Sequence, residues 1–293
     1  MSYGPLSLIN AELYRIRRQR SNWLLPLIPL SGLAALAMLT ITSYGLTDLN
    51  GKSLLTGARD LTDTATLVVA MSLGVPILLM AARVAAHDYA YGTVRLLLGG
   101  GASRVSALAA KLAATLLVAA LGLVLSIGIA GTCVLLLSTG IRQHLGELPS
   151  IYWREVGLEV AAVAVSAAAC AVLGIATSTV SRSLTAGLTA ALVWFPAENI
   201  LTALLAFGLA TTHRDIFARL SGWLLAPNLN HLIQALEPWR STVEIGARPL
   251  GGDGSNPVGP VGAEQCLAVI AAWVAAFLLA SFLSVTVRVD VRE

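Results

Sequence analysis

"HDYAYGTVRLLLGGGASRVSALAAK", residues His87 to Lys111, is a polar passage in an otherwise greasy chain. A histidine–aspartate pair, two tyrosines, Arg95, Arg104, Lys111 and the triple glycine Gly99 to Gly101 crowd together between long apolar runs. Hydrophobic residues make up 56% of the 293 positions, charged residues only 12%, and the mean hydropathy is +0.78. A soluble domain has too little interior to hide so much apolar surface from water, so the chain reads as an integral membrane protein of the all-α class.

A hydrocarbon core of about 30 Å takes roughly 20 helical residues to cross. Six runs meet that length: Leu24 to Leu46, Thr64 to Ala86, Leu108 to Ser138, Val156 to Thr177, Leu184 to Ala210, and Gly262 to Val287. Together they predict a single transmembrane domain over residues 1–293. Pro26, Pro29, Pro76 and Pro196 fall in or near these spans, where they can bend a helix. Cys133, Cys170 and Cys266 each lie inside an apolar run and read as small buried hydrophobes.

Arginine and lysine set the orientation. With a cytoplasmic amino terminus, the inner side collects Arg15, Arg17, Arg18, Arg20, Arg83, Arg95, Arg104, Lys111, Arg182, Arg288 and Arg292. The outer loops hold Lys52, Arg59, Arg142 and Arg154 beside many acids, so the positive-inside rule puts both termini in the cytoplasm. Residues 5–22 precede the first span with Leu6, Ile9, Leu13 and Ile16 on one side of a helix and basic residues after them. That pattern suits either a retained helix along the inner interface or a plain positive flank of the first span. The same topology makes 87–107 the one substantial cytoplasmic surface between spans. It also places 211–261 outside, as a semi-apolar helical stretch followed by a Gly/Pro-rich segment.

Signs of chemistry are sparse. "GLTDLNGKS" (Gly45 to Ser53) misses a phosphate-binding loop by one residue of spacing, has no strand–loop–helix frame and lies on the outer side. His87, His144, His213 and His231 are scattered without zinc-site spacing, and the modest basicity is accounted for by membrane flanks, so no metal, cofactor or nucleic acid is expected on this chain. Inside the spans, Ala162, Ser166, Cys170 and Gly174 recur every fourth residue, and Gly122, Ser126, Gly128 and Gly131 gather in the third span. Such faces let helices approach closely, within one chain or between subunits. Glu198, in "VWFPAENIL", sits about 20 Å into the fifth span. A carboxyl at that depth must find a partner, either backbone freed by a break at Pro196 or a cavity.

The residues from His87 to Lys111 resemble the segment after the second span of type-2 ABC exporter permeases: an acidic residue, Gly-Thr, an apolar turn, Ser-Arg, then a lysine at the head of the third span. Here these are Asp88, Gly92, Thr93, Leu96 to Leu98, Ser103, Arg104 and Lys111, with aspartate where the family carries glutamate. "LVWFPAENILTALL" is similar to the family's fifth span and "WLLAPNLNHLIQAL" to the Leu-Pro stretch after it. The resemblance implies a permease in a bacterial or archaeal plasma membrane that lacks its own nucleotide site. It implies a separate ATP-binding subunit, holding ATP and magnesium, seated on a coupling helix between spans two and three. Asp88, Tyr89, Tyr91, Gly92, Thr93, Arg95, Leu98 and Arg104 would form that coupling surface, and Glu198 a polar element of the outer gate. A second permease half, identical or related, and surrounding lipids complete the expected partners. The competing class is a secondary transporter or channel with Glu198 as its ion site.

Overall fold

The computed structural model describes residues 5–18, 73–89, 103–141, 149–236 and 262–286. Eight helices run through them: α1 (Pro5–Arg18), α2 (73–89), α3 (Arg104–Ile141), α4 (Ser150–Ser181), α5 (Leu184–Thr212), α6 (Ile216–Ser221), α7 (Leu225–Leu236) and α8 (Ala263–Thr286). There is no strand among the described residues. In α3, α4, α5 and α8 the chain has helices long and apolar enough to cross a membrane. In hydrocarbon the helix satisfies this demand because every backbone donor and acceptor pairs within its own segment. The expected first span, 24–46, lies outside the described residues, and the second is represented by 73–89.

The chain divides into two compact units, Met1–Ala191 with Phe277–Glu293, and Leu192–Ala276. In the first, α2 and α4 pack along ridges of every fourth residue: Leu73, Ile77, Ala81 and Ala85 against Val163, Ala167, Ala171 and Ile175. Ala119 of α3 joins them, with half-buried Leu108, Leu112, Leu116 and Leu123. Small side chains bring the two axes together. Gly174 has no Cβ because one there would meet the carbonyl oxygen of Leu78, and would lie 2.9 Å from Ala81 Cβ and 3.0 Å from Ala82 N. The small-residue stripe of α4 therefore serves packing within the chain, and 61% of the helix's apolar window is buried.

The α1 helix buries one face, and Leu6 stands off it. Leu8, Glu12 and Ile16 form the buried line while Leu6 is 79% exposed. Ile16 packs with Met80, Val84 and Ala114, beside Leu13, and Leu8 packs with Ala110, beside Ile9, so α2 and α3 cover this face. Residues 19–22 lie outside the described part of the chain.

In the second unit, α6 ends at Gly222 and a tight turn leads to α7. Asn228, 2% exposed, ties that turn down by donating from Nδ2 to the carbonyls of Gly222 (2.8 Å) and Leu224 (2.7 Å). Pro227 falls in the first turn of α7, where a missing N–H costs nothing. Trp273 of α8 donates from Nε1 to Trp223 O at 2.8 Å and stacks edge-on against Trp194 of α5, with centroids 5.6 Å apart.

Candidate functional site

The amphipathic period of α1 puts Glu12 in the middle of its buried line and Arg15 three residues on. Both face the end of α2. There Asp88, 2% exposed, accepts from Arg15 Nη1 at 2.7 Å and pairs with Lys111 Nζ of α3. Arg15 Nη2 also donates to Val84 O at 3.1 Å and Lys111 Nζ to Ala85 O at 3.5 Å. Glu12 completes the group at 3.5 Å from Arg15 Nε. One carboxylate thus binds α1, α2 and α3 together. Lys111 is only 7% exposed, so each ion depends on the others for the stabilisation that water would otherwise supply.

Electrostatics inside the cluster are uneven. Burial pushes the Glu12 carboxyl above its ordinary value of 4.5, with the Asp88 charge adding to the rise and Arg15 and Lys111 opposing it. A raised pKa means that the folded state holds the proton more tightly than the unfolded chain does. The contribution of Glu12 to stability is therefore fully present below pH 4.5 and is lost as pH rises through its folded pKa. In detergent-solubilised protein, the thermal midpoint of the wild type should fall relative to Glu12→Gln as pH is raised from 4.5. Parallel pH curves for the two proteins would contradict this assignment.

Asp88 lies in the structure as an internal anchor, its carboxylate turned to Arg15 and Lys111. Tyr89 beside it is half-buried; desolvation raises its phenol, Asp88 adds to the rise, and Arg182 and Arg104 pull it down. Arg104 heads α3 and donates from Nη1 to Val285 O at 3.4 Å. Tyr91, Gly92, Thr93, Arg95 and Leu98 lie outside the described residues, as do Gly99 to Gly101. Sequence reasoning passed over Glu12 and Arg15 as partners of Asp88. The available signal was an acid interrupting the line Leu8, Glu12, Ile16.

Glu198 is 7% exposed and its partner is not the backbone near Pro196. The α5 helix continues through that proline, which leaves the Leu192 carbonyl without its helical donor. The carboxylate instead accepts from the first two N–H groups of α7: Leu225 N to Oε1 at 3.3 Å and Ala226 N to Oε2 at 2.5 Å. Initial N–H groups of a helix have no intrahelical acceptor, and the partial positive charge there favours an anion. Both oxygens are engaged in holding the α6–α7 hairpin to α5. Glu198→Ala strands both donors and should lower stability by about 1–3 kcal/mol, with Glu198→Gln losing less because one carbonyl acceptor remains. Equal melting of all three proteins would show that the contact is idle. Two further acids, Glu155 and Glu159, are buried one turn apart in α4 at 7% and 3% exposure.

Comparison with known proteins gives one family: a model described as ABC-2 family transporter protein matches residues 6–289. No curated protein matches the chain.

Proposed function

Since the chain belongs to the ABC-2 transporter family, we propose that it is the permease of an ATP-driven exporter and takes its driving force from a separate subunit seated on residues 87–107. Membership makes it a multi-pass membrane component of an ABC transporter and implies an ATP-binding partner. In the proposed arrangement both termini face the cytoplasm of a bacterial or archaeal cell. Two permease halves, identical or related, enclose the substrate path. ATP and magnesium reside on the partner, whose closure pushes on the segment from Asp88 to Arg104.

The observation that carries this reading is the buried Asp88 with its two cations at the root of that segment. A surface that receives force must pass it to spans without yielding at its base. Asp88 ties the end of α2 to α1 and to α3 at that point. The ion-coupled alternative loses its centre, because the Glu198 carboxylate is committed to the hairpin.

The test is recruitment. The ATP-binding subunit co-expressed with this chain should copurify with it, and Arg95→Glu should abolish that association while leaving membrane insertion intact. Normal recruitment by the Arg95→Glu variant would reject the docking surface. Transport driven by an ion gradient with no ATP-binding subunit present would reject the function.

A further inference from the structure

The carboxyl end of α8 is held in an unusual way. A helix leaves its last four carbonyls without intrahelical donors. Here two successive ones receive guanidinium groups from other elements: Arg182 Nη2 donates to Ser284 O at 2.9 Å, and Arg104 Nη1 to Val285 O at 3.4 Å. The Ser284 hydroxyl, 7% exposed, donates in turn to Thr179 O of α4 at 3.2 Å.

Arg182 is fixed for this task by the backbone. It turns the corner between α4 and α5 in the left-handed region at φ 51°, with its N–H bonded to Ser178 O at 3.0 Å. That corner is tight: a Cβ on Gly187 would lie 2.7 Å from Ser178 Cα. Arg104 is the first residue of α3 and follows directly on the segment 90–103. One turn of α8 is thus gripped by an arginine on the rigid α4–α5 corner and by another at the exit of that segment.

We infer that Arg104 and Arg182 are positioning residues for transport: Arg104 carries force from the docking surface into the last span, and Arg182 sets the register from which that span moves. The inference rests on the docking reading above. Cations at an exposed helix end contribute little to stability, so removing them should uncouple motion with little loss of fold. Arginine also suits the task because its planar donors reach a carbonyl in a fixed direction.

The experiment uses the whole complex in nanodiscs, with nitroxide labels at Ser150 and Thr286, exposed positions on α4 and α8. Their separation is measured without nucleotide and after trapping with ATP and vanadate. The wild type should show a nucleotide-driven shift in the distance distribution. Arg104→Ala should lose that shift with its thermal midpoint retained, and Arg104→Lys, which keeps a cationic donor, should restore it. Arg182→Ala should broaden the distribution before nucleotide is added. A full-sized shift in Arg104→Ala with the partner still bound overturns this inference alone. Failure of the wild type to retain the partner overturns the docking reading and this inference with it.

Discussion

Asp88→Asn is expected to lower the stability of the protein by about 3–5 kcal/mol, the cost of leaving buried charge without its counter-ion. Lys111 and Arg15 would both lose their acid, and Lys111 cannot recover the loss from solvent at 7% exposure. Because the carboxylate joins three helices, the damage should appear first as release of α1, seen as protease cleavage near Arg15 in membranes before the spans unfold. Pairing Asp88→Leu with Lys111→Met removes acid and one cation together. That double variant should recover much of the stability, since an apolar replacement of a buried pair is often neutral or better. Transport should remain impaired in it, because the tie between the coupling segment and α1 is gone. Wild-type stability of Asp88→Asn would mean that the cluster contributes nothing to the fold.

Gly174→Ala is the second large effect. An added Cβ meets the Leu78 carbonyl oxygen and lies 3.0 Å from Ala82 N, both of them backbone atoms that cannot swing aside. The helices must separate along the whole ridge from Leu73 to Ala85, so the cost belongs at the upper end of overpacking, about 3 kcal/mol. Gly128→Ala is the matched control, for nothing lies within 4 Å of a Cβ there and alanine is the better helix former. Loss of folded protein on the first substitution and none on the second, read by size-exclusion profile and thermal midpoint, is the expected pair of results. Equal tolerance at both sites would place α2 and α4 farther apart than described here.

Hydrophobic length made the apolar middle of each span legible, because the hydrocarbon core imposes its thickness on any sequence that crosses it. The ends were not. The helix α4 begins at Ser150, ahead of the apolar run that opens at Val156, since Tyr152, Trp153, Arg154 and Glu155 are as helical as the residues after them and Pro149 stops the run. In α1 the period was legible and so was most of the face: Ile9, Leu13 and Ile16 pack against α2 and α3, while Leu6 fits the apolar pattern and is exposed. The same limit governs the site. Asp88 was visible through the resemblance and Glu198 as an expensive charge, whereas their partners lie 73 and 27 residues away in the chain, and no local pattern joins such pairs. Resemblance marked the segment and its two roots, Asp88 and Arg104. It did not indicate that both roots are spent on bracing other helices.

The bond between Glu198 and the start of α7 has a consequence for biosynthesis. As α5 enters the membrane its carboxylate has no partner, since Leu225 and Ala226 have yet to be made. An acid near the middle of a span opposes insertion by about 3 kcal/mol, so α5 should sit provisionally until the α6–α7 hairpin emerges and supplies its N–H groups. Nascent chains arrested before residue 225 should place α5 across the membrane less completely than chains arrested after α7, and Glu198→Leu should erase the difference. The hairpin would then belong to the insertion of the fifth span as much as to the finished fold.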